Sequence, residues 1–108
     1  MNTYAAQIDP TDFWTYNRIT VEHDLGNGYV DEESYYEMKT DSGAYKVKIQ
    51  KLTGTQGCWF VWVTHREDSA DVEVFTNFRS AWSHGYMTLK AAKRVGTAWV
   101  RASILAAA

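Results

Sequence analysis

Cysteine and proline are scarce in this chain of 108 residues, which contains only Cys58 and Pro10 of these two types. One cysteine cannot form an intrachain disulfide, and there is no CxxC pair of the kind that binds zinc or an iron–sulfur cluster. The chain is therefore not a disulfide scaffold. Its cysteine usage favours a reducing, cytoplasmic compartment.

Long apolar runs are also missing. The longest, residues 59–63 (WFVWV), is far shorter than a membrane span. The first residues, MNTYAAQIDPTDFW, contain neither the basic nor the apolar region of a secretion signal. We therefore expect a cytoplasmic protein that is not inserted in a membrane. A chain of this length is expected to form a single domain over residues 1–108.

Acidic residues are absent from residues 79–108, which contain five basic ones, whereas residues 1–40 contain eight acidic and two basic residues. The net charge of the whole chain is only −2. Such asymmetry can mark an electrostatic interaction surface. The simpler interpretation is that the two ends of the chain lie side by side and neutralise each other.

Aromatic residues are abundant, with five Trp, seven Tyr and four Phe. Most of these rings are expected in the core, because each buries a large apolar area and a small domain needs that area. Trp and Tyr are also favoured at the centres of protein interfaces. We therefore expect a few of the rings to lie on a recognition surface.

Alternation of apolar and polar residues predicts a series of short strands separated by turns. The predicted strands are residues 18–22, 34–40, 44–52, 58–64 and 72–77. The predicted turns are residues 26–28, 41–43, 53–57 and 66–71, and the acidic residues 31–33 are interpreted as a solvated loop. Because the strands follow one another through short loops, they predict an antiparallel meander of four to five strands.

A C-terminal helix is predicted to begin near Thr88 and to pack on one face of the sheet, which makes the fold class α+β. An upstream start near Ser80 is the alternative, because Phe78, Trp82 and Tyr86 continue the helical period. The residues predicted to face the sheet are Leu89, Ala92, Gly96, Trp99 and Ser103. The residues predicted to face solvent are Lys90, Lys93, Arg94, Thr97 and Arg101. Asp9 and Pro10 indicate an optional short helix over residues 10–16.

The candidate binding site is the segment that leads into this helix. Its residues are Trp82, His84, Tyr86, Lys90, Lys93 and Arg94. A helix N-terminus flanked by cations and rings can hold a phosphate or stack on an unpaired base. The simpler interpretation of the same residues is a capped amphipathic helix with a solvated basic face.

No catalytic residue, metal ligand or cofactor is indicated by the sequence. There is no GxSxG motif and no P-loop, and the glycines of residues 26–28 are interpreted as a turn. The three histidines, His23, His65 and His84, lack the spacing of metal ligands. Cys58 opens a strand of bulky apolar residues, which is typical of a buried and inert thiol.

The functional expectation is a small non-enzymatic interaction module that binds a protein partner, or a second copy of itself, through aromatic surface residues. A nucleic-acid-binding domain that uses the basic C-terminal helix is one alternative. A small-ligand pocket between the sheet and the helix is another. A short chain with no recognisable motif is also typical of proteins from phages and other mobile elements.

Overall fold

The computed structural model of the chain describes residues 14–52, 58–80 and 82–107. The strands are β1 (Asn17–Gly26), β2 (Tyr29–Lys39), β3 (Tyr45–Lys51), β4 (Trp59–Glu67) and β5 (Ala70–Thr76), and the helix is α1 (Leu89–Ala107). The strands form one open antiparallel sheet in the order β1-β2-β3-β4-β5. This confirms the predicted α+β meander with a C-terminal helix.

Two of the hairpins turn through a pair of adjacent residues that both have positive φ. Asn27 and Gly28, between β1 and β2, have φ of 56° and 80°. Asp68 and Ser69, between β4 and β5, have φ of 48° and 70°. Two-residue turns of this kind match the right-handed twist of the paired strands, and Asn-Gly is the sequence that adopts them most readily. The turn predicted at residues 26–28 is therefore confirmed.

Helix α1 lies across one face of the sheet, mainly over β3 and β4. The buried core between the two layers consists of Met38, Val47, Ile49, Val61, Val63, Ala92 and Val100. Gly96 allows the closest approach of the helix, because a Cβ atom built there would lie 2.6 Å from Cγ1 of Val47. At this point the backbone of the helix therefore packs directly against the side chain of Val47 in the sheet.

Strand β4 is covered on both faces, as its apolar sequence predicts. Val61 faces the helix, while Phe60 points to the opposite face, and both are fully buried. Phe60 is covered there by Phe78, whose ring centroid is 5.1 Å away at a nearly perpendicular angle. The chain that follows β5 therefore closes the second face over this strand.

The stripe of the helix that faces the sheet is the predicted one in part, since Ala92 and Gly96 are buried and Leu89 packs against the core, but it is centred differently. Thr97 is fully buried, although it was assigned to the solvated face, and Trp99 remains 41% exposed. Burial of Thr97 is possible because its hydroxyl lies 2.9 Å from the Tyr16 hydroxyl, which also donates to the Lys93 carbonyl oxygen at 3.2 Å. Trp99 stacks on Phe75 of β5 at 4.7 Å and therefore lies at the margin of the helix contact.

The acidic residues 31–33 form part of β2, so the loop interpretation was wrong. They pair with β1, where Glu32 lies opposite Glu22 and Asp31 opposite His23. Both faces of the hairpin are solvated at this point, so charged residues are compatible with a strand here.

The start of the helix is the predicted one. Thr88 caps it, with its side-chain oxygen accepting from the Ala91 backbone N–H at 3.1 Å. Of the predicted short helix at residues 10–16, the described part, residues 14–16, is not helical, and the rest lies outside the described residues. The predicted loop at residues 53–57 also lies outside them. In the described part of the chain, no helix combines the length and the apolar character needed to span a bilayer.

Candidate functional site

The segment between β5 and α1, which contains part of the predicted site, is fixed along the edge of β4. The Asn77 side-chain oxygen accepts from the Val61 N–H at 2.8 Å, and its amide group donates to the Trp59 carbonyl at 3.4 Å. Tyr86 forms backbone hydrogen bonds with Trp59 in both directions, at 2.8 and 3.0 Å. A Cβ on Gly85 would lie 2.9 Å from the Trp59 nitrogen, so only glycine fits this close approach.

Trp82 is the most exposed aromatic residue of the predicted site, at 88%. It belongs to a turn in which the Ser83 hydroxyl accepts from the backbone N–H groups of Arg79 and Ser80, at 2.9 and 3.0 Å. The Ser80 hydroxyl accepts from the Trp82 N–H at 3.2 Å. These bonds fix the backbone of the turn on which the exposed indole is carried. His84 is exposed as well.

Tyr86 differs from its two neighbours because it is half-buried and packs against the core cluster. This burial raises the pKa of its hydroxyl. The ring that was predicted for stacking on a ligand therefore also serves to anchor the segment to the sheet.

The three basic residues of the predicted site have different surroundings. Lys90 and Arg94 are exposed on the helix. Lys93 is half-buried, and its ammonium nitrogen lies 5.2 Å from the ring centroid of Tyr36 and 5.8 Å from that of Tyr16. Lys93 is therefore associated with the β2 side of the sheet, whereas Tyr86 is paired with β4.

A projecting hairpin is the most prominent feature that the sequence did not predict. Strand β2 pairs with β3 only over residues 36–39, whereas it pairs with β1 over residues 29–37. We call the part of β1 and β2 beyond the last pair with β3, residues 19–35, the arm. Residues 29–33 of β2 lie past the level of Lys51, the last residue of β3, so at roughly 3.3 Å per residue the arm projects about 16 Å beyond that strand. The longest dimension of the described molecule is 61 Å.

The tip of the arm is apolar. Leu25, Tyr29 and Val30 have exposed fractions of 66%, 70% and 59%. The turn between them is well formed, since the Asp24 carboxylate accepts from the Gly26 N–H at 2.9 Å. The strands behind the tip contain the acidic residues Glu22, Asp24, Asp31, Glu32 and Glu33.

A groove opens on the helix-bearing face, where the arm diverges from β3. We call it the Tyr36–Trp59 groove. It has a volume of about 470 Å³ and is lined by Arg18, Glu32, Ser34, Tyr36, Lys51 and Trp59. The Tyr36 and Trp59 rings meet edge to face, with centroids 6.1 Å apart. The Lys51 ammonium lies 6.0 Å from the Trp59 ring centroid, and the Lys93 ammonium lies over Tyr36 from the helix side.

The residues considered for catalysis, Cys58, His65 and His84, are not among those that line the groove. The His65 ring lies against Tyr45, with centroids 4.6 Å apart and planes tilted by 39°, and its Nδ1 lies 3.3 Å from a Glu67 carboxylate oxygen. Cys58 is half-buried at the start of β4. Among residues 14–52, 58–80 and 82–107, no cluster of three or more His, Cys, Asp or Glu side chains is arranged to hold a metal ion.

Sequence reasoning missed the arm because the acidic residues were interpreted as a loop. The Asn27-Gly28 turn, together with the apolar residues that follow it, was the available signal for a longer hairpin. The groove has no local sequence signal, because it combines residues from four strands that lie far apart in the chain.

Comparison of the chain with models of known protein families, with curated proteins and with solved structures finds no match. What the arm and the groove bind is therefore inferred from the chemistry of their own residues.

Proposed function

We propose that the protein is a non-enzymatic interaction module that binds a basic protein partner through its arm. The main observation in support is the position of three large apolar side chains, Leu25, Tyr29 and Val30, which are mostly exposed at the end of a projecting hairpin. Because Tyr29 and Val30 are consecutive strand residues on opposite faces of the hairpin, a partner would have to enclose the tip to cover both of these exposed apolar side chains.

The arm also offers backbone groups to a partner. Residues 29–35 of β2 pair with β1 on one side and with no other described strand on the other side. An open strand edge can accept an extended segment of another protein, whose backbone then continues the sheet. Binding in this way would stabilise the hairpin, since two strands without support from further strands are only marginally stable.

The charge of the arm argues for a partner with a basic surface. Glu22 and Glu32 lie directly opposite each other, and like charges in this position destabilise a strand pair. A basic partner would remove this repulsion. Two arms pairing edge to edge would instead bring Asp31, Glu32 and Glu33 of both copies together. A second copy of the chain is therefore a poorer fit to this surface than a different, basic protein.

Trp82 is a second candidate contact. Its ring is exposed on a turn whose backbone is held by hydrogen bonds, so a partner that covers the ring does not have to order this backbone. Trp is enriched among the residues that contribute most to binding. We therefore keep Trp82 in the proposed binding surface, as an exposed aromatic residue.

The proposal is tested by replacing Tyr29 with the photoreactive residue p-benzoylphenylalanine in the cells that normally produce the protein. The matched control carries the same residue at Val72, which is exposed on β5. We expect a discrete adduct with one basic protein from position 29 and none from position 72. Charge reversal in the arm, through Asp31→Lys and Glu33→Lys, should abolish the adduct.

Three results would contradict the proposal. They are the absence of any adduct from position 29, the same adducts from both positions, and an adduct of twice the mass of the chain. The last result would identify a second copy as the occupant. A parallel experiment with the photoreactive residue at position 82 determines whether Trp82 contacts the same partner.

A further inference from the structure

We infer that the Tyr36–Trp59 groove binds a nucleotide unit, with the base against the rings and the phosphate against the surrounding cations. This site lies at the base of the arm, which contributes Glu32 and Ser34 to its lining, and it does not depend on the proposed protein partner. Its volume of about 470 Å³ falls within the range of roughly 300–1,000 Å³ that is usual for small-ligand sites.

The two rings supply the apolar part of the site. Tyr36 and Trp59 are half-buried, pack against the core and meet edge to face at 6.1 Å. They are therefore held in place before a ligand arrives, and a flat base can stack on them without ordering a loop. The ammonium groups of Lys51 and Lys93 lie beside these rings on long side chains, which can move from the rings to a phosphate.

The cations of the groove have no carboxylate partner within the described residues. Among the ion pairs formed by residues 14–52, 58–80 and 82–107, none at 4.0 Å or less involves Arg18, Lys51 or Lys93. Their charge is opposed within the groove by Glu32 alone. Two cations and one carboxylate line the groove, and Lys93 adds a third positive charge from the helix side, beside Tyr36. This excess of positive charge favours an anionic ligand, and Arg provides the planar fork that binds phosphate oxygens in pairs.

The opposite face of the sheet provides an internal comparison, because it also carries lysines and rings. There Lys46 is paired with Asp71 at 3.1 Å and Lys39 with Glu37 at 3.6 Å. Lys48 lies 4.8 Å from the Tyr35 ring centroid. Two of these three lysines are thus neutralised by carboxylates of the chain itself. Unpaired cations beside a concave aromatic surface are found on the helix-bearing face.

Glu32 and Ser34 complete the lining and bear on selectivity. The Ser34 hydroxyl lies 3.2 Å from that of Thr20 and can still accept or donate a hydrogen bond to a ligand. The Glu32 carboxylate accepts hydrogen bonds only, so it suits the N–H donors of a base or the hydroxyls of a sugar and disfavours a phosphate beside it. The phosphate is therefore expected near Arg18, Lys51 and Lys93.

The test is a titration of the full-length ¹⁵N-labelled protein with 5′-AMP, followed by NMR. Adenosine and ribose 5-phosphate are titrated separately, because each provides one half of the ligand. A tetranucleotide of deoxyadenosine distinguishes a single strand from a free nucleotide as the source. We expect 5′-AMP to shift the amide signals of Ser34, Tyr36, Lys51 and Trp59, and to bind more tightly than either half.

The discriminating variants are Lys51→Gln and Lys48→Gln. Both remove one positive charge from β3 beside aromatic rings, but Lys48 lies on the opposite face. Loss of a charge-assisted contact to phosphate predicts about tenfold weaker binding for Lys51→Gln. Lys48→Gln should bind within about twofold of the parent protein.

The inference is overturned if neither 5′-AMP nor the tetranucleotide shifts the groove signals at millimolar concentration. It is also overturned if the two variants weaken binding equally, because the attraction would then be diffuse, or if ribose 5-phosphate binds as well as 5′-AMP. Lys51 lies outside the arm, whereas Glu32 and Ser34 belong to both surfaces. The Lys51 variant therefore tests the groove without touching the arm, and failure of one proposal leaves the other standing.

Discussion

Replacing Gly96 by alanine has two opposite effects on the free energy of unfolding: a gain from helix propensity and a loss from steric overlap with the sheet. Alanine is favoured over glycine inside a helix by about 1 kcal/mol, so propensity alone would stabilise the variant. The new methyl group, however, would lie 2.6 Å from Cγ1 of Val47 and 3.1 Å from the hydroxyl oxygen of Tyr16. Carbon atoms in favourable contact are about 3.5–4.0 Å apart. The helix must therefore move away from β3, or Val47 must shift.

The packing effect is expected to exceed the propensity gain. Overpacking a core costs roughly 1–3 kcal/mol. Displacement of the Tyr16 hydroxyl also weakens its hydrogen bond with Thr97, which is 2.9 Å long, at a cost of about 1 kcal/mol. After subtraction of the propensity gain, we expect Gly96→Ala to lower the free energy of unfolding by about 1–3 kcal/mol.

The assay is a set of urea unfolding curves for the parent protein, Gly96→Ala, Val47→Ala and the double variant. Val47→Ala alone should cost about 2 kcal/mol, because it removes two buried methyl groups. In that background the clashing Cγ1 is absent, so we expect the cost of Gly96→Ala to fall to within about 0.5 kcal/mol of zero. The non-additivity isolates the contact between the two positions.

Either of two results would refute this account of the helix contact. One is stabilisation by Gly96→Ala, which would mean that propensity alone decides the effect. The other is an unchanged cost in the Val47→Ala background, which would locate the strain elsewhere. A change in the denaturant slope would indicate that the unfolded or native ensemble had changed, so the slopes must agree among the four proteins.

Three further changes have defined outcomes. Burial raises the pKa of the Tyr16 hydroxyl to about 12. Because the unfolded chain loses this proton at a lower pH, near 10, the contribution of the hydroxyl to the free energy of unfolding is fully present below pH 10. Between pH 10 and 12 the free energy of unfolding should fall by about 1.4 kcal/mol per pH unit. Tyr16→Phe should cost about 1–2 kcal/mol at pH 7 and remove this part of the alkaline loss, as measured by unfolding at several pH values. Asn77→Ala should cost about 1–3 kcal/mol in urea unfolding, because the Val61 N–H loses its acceptor. Glu22→Gln should stabilise the arm by about 0.2–1 kcal/mol at low salt, measured by amide hydrogen exchange, because it removes the repulsion with Glu32.

Each of these has its own control. An alkaline profile of Tyr16→Phe that matches the parent protein would show that this hydroxyl is not the group responsible. Asn77→Asp keeps an acceptor for Val61 and should cost less than Asn77→Ala, so the reverse order would contradict the assigned role. If the stabilisation by Glu22→Gln persists unchanged at 1 M salt, where exposed charges are screened over about 3 Å, repulsion is not its cause.

The strands and the start of the helix were predictable because their signals are local. Alternation in residues 45–51 places Val47 and Ile49 on one face whatever the neighbours are, and both are buried. Thr88 precedes a helical sequence, and its side chain can cap the helix without any tertiary partner. Periodicity and capping thus decided the α+β meander from the sequence alone.

The face of the helix that packs on the sheet depended on tertiary contacts. The sequence favours Trp99 over Thr97 for burial, since an indole is far more apolar than a hydroxyl. The structure buries Thr97 because the Tyr16 hydroxyl, which is distant in the chain, satisfies its oxygen. No pattern within the helix contains that information.

In the arm and the groove, too, some features follow from local sequence and others depend on tertiary contacts. The sequence by itself determined that residues 18–22 form a strand and that the glycines of residues 26–28 form a turn. Only the tertiary structure decided that β2 is longer than the part of it that pairs with β3. The unpaired part makes the hairpin project and opens a space beside it. The side chains of Arg18, Tyr36 and Trp59 meet there because strand register, set by the packing of the whole sheet, places them on one face.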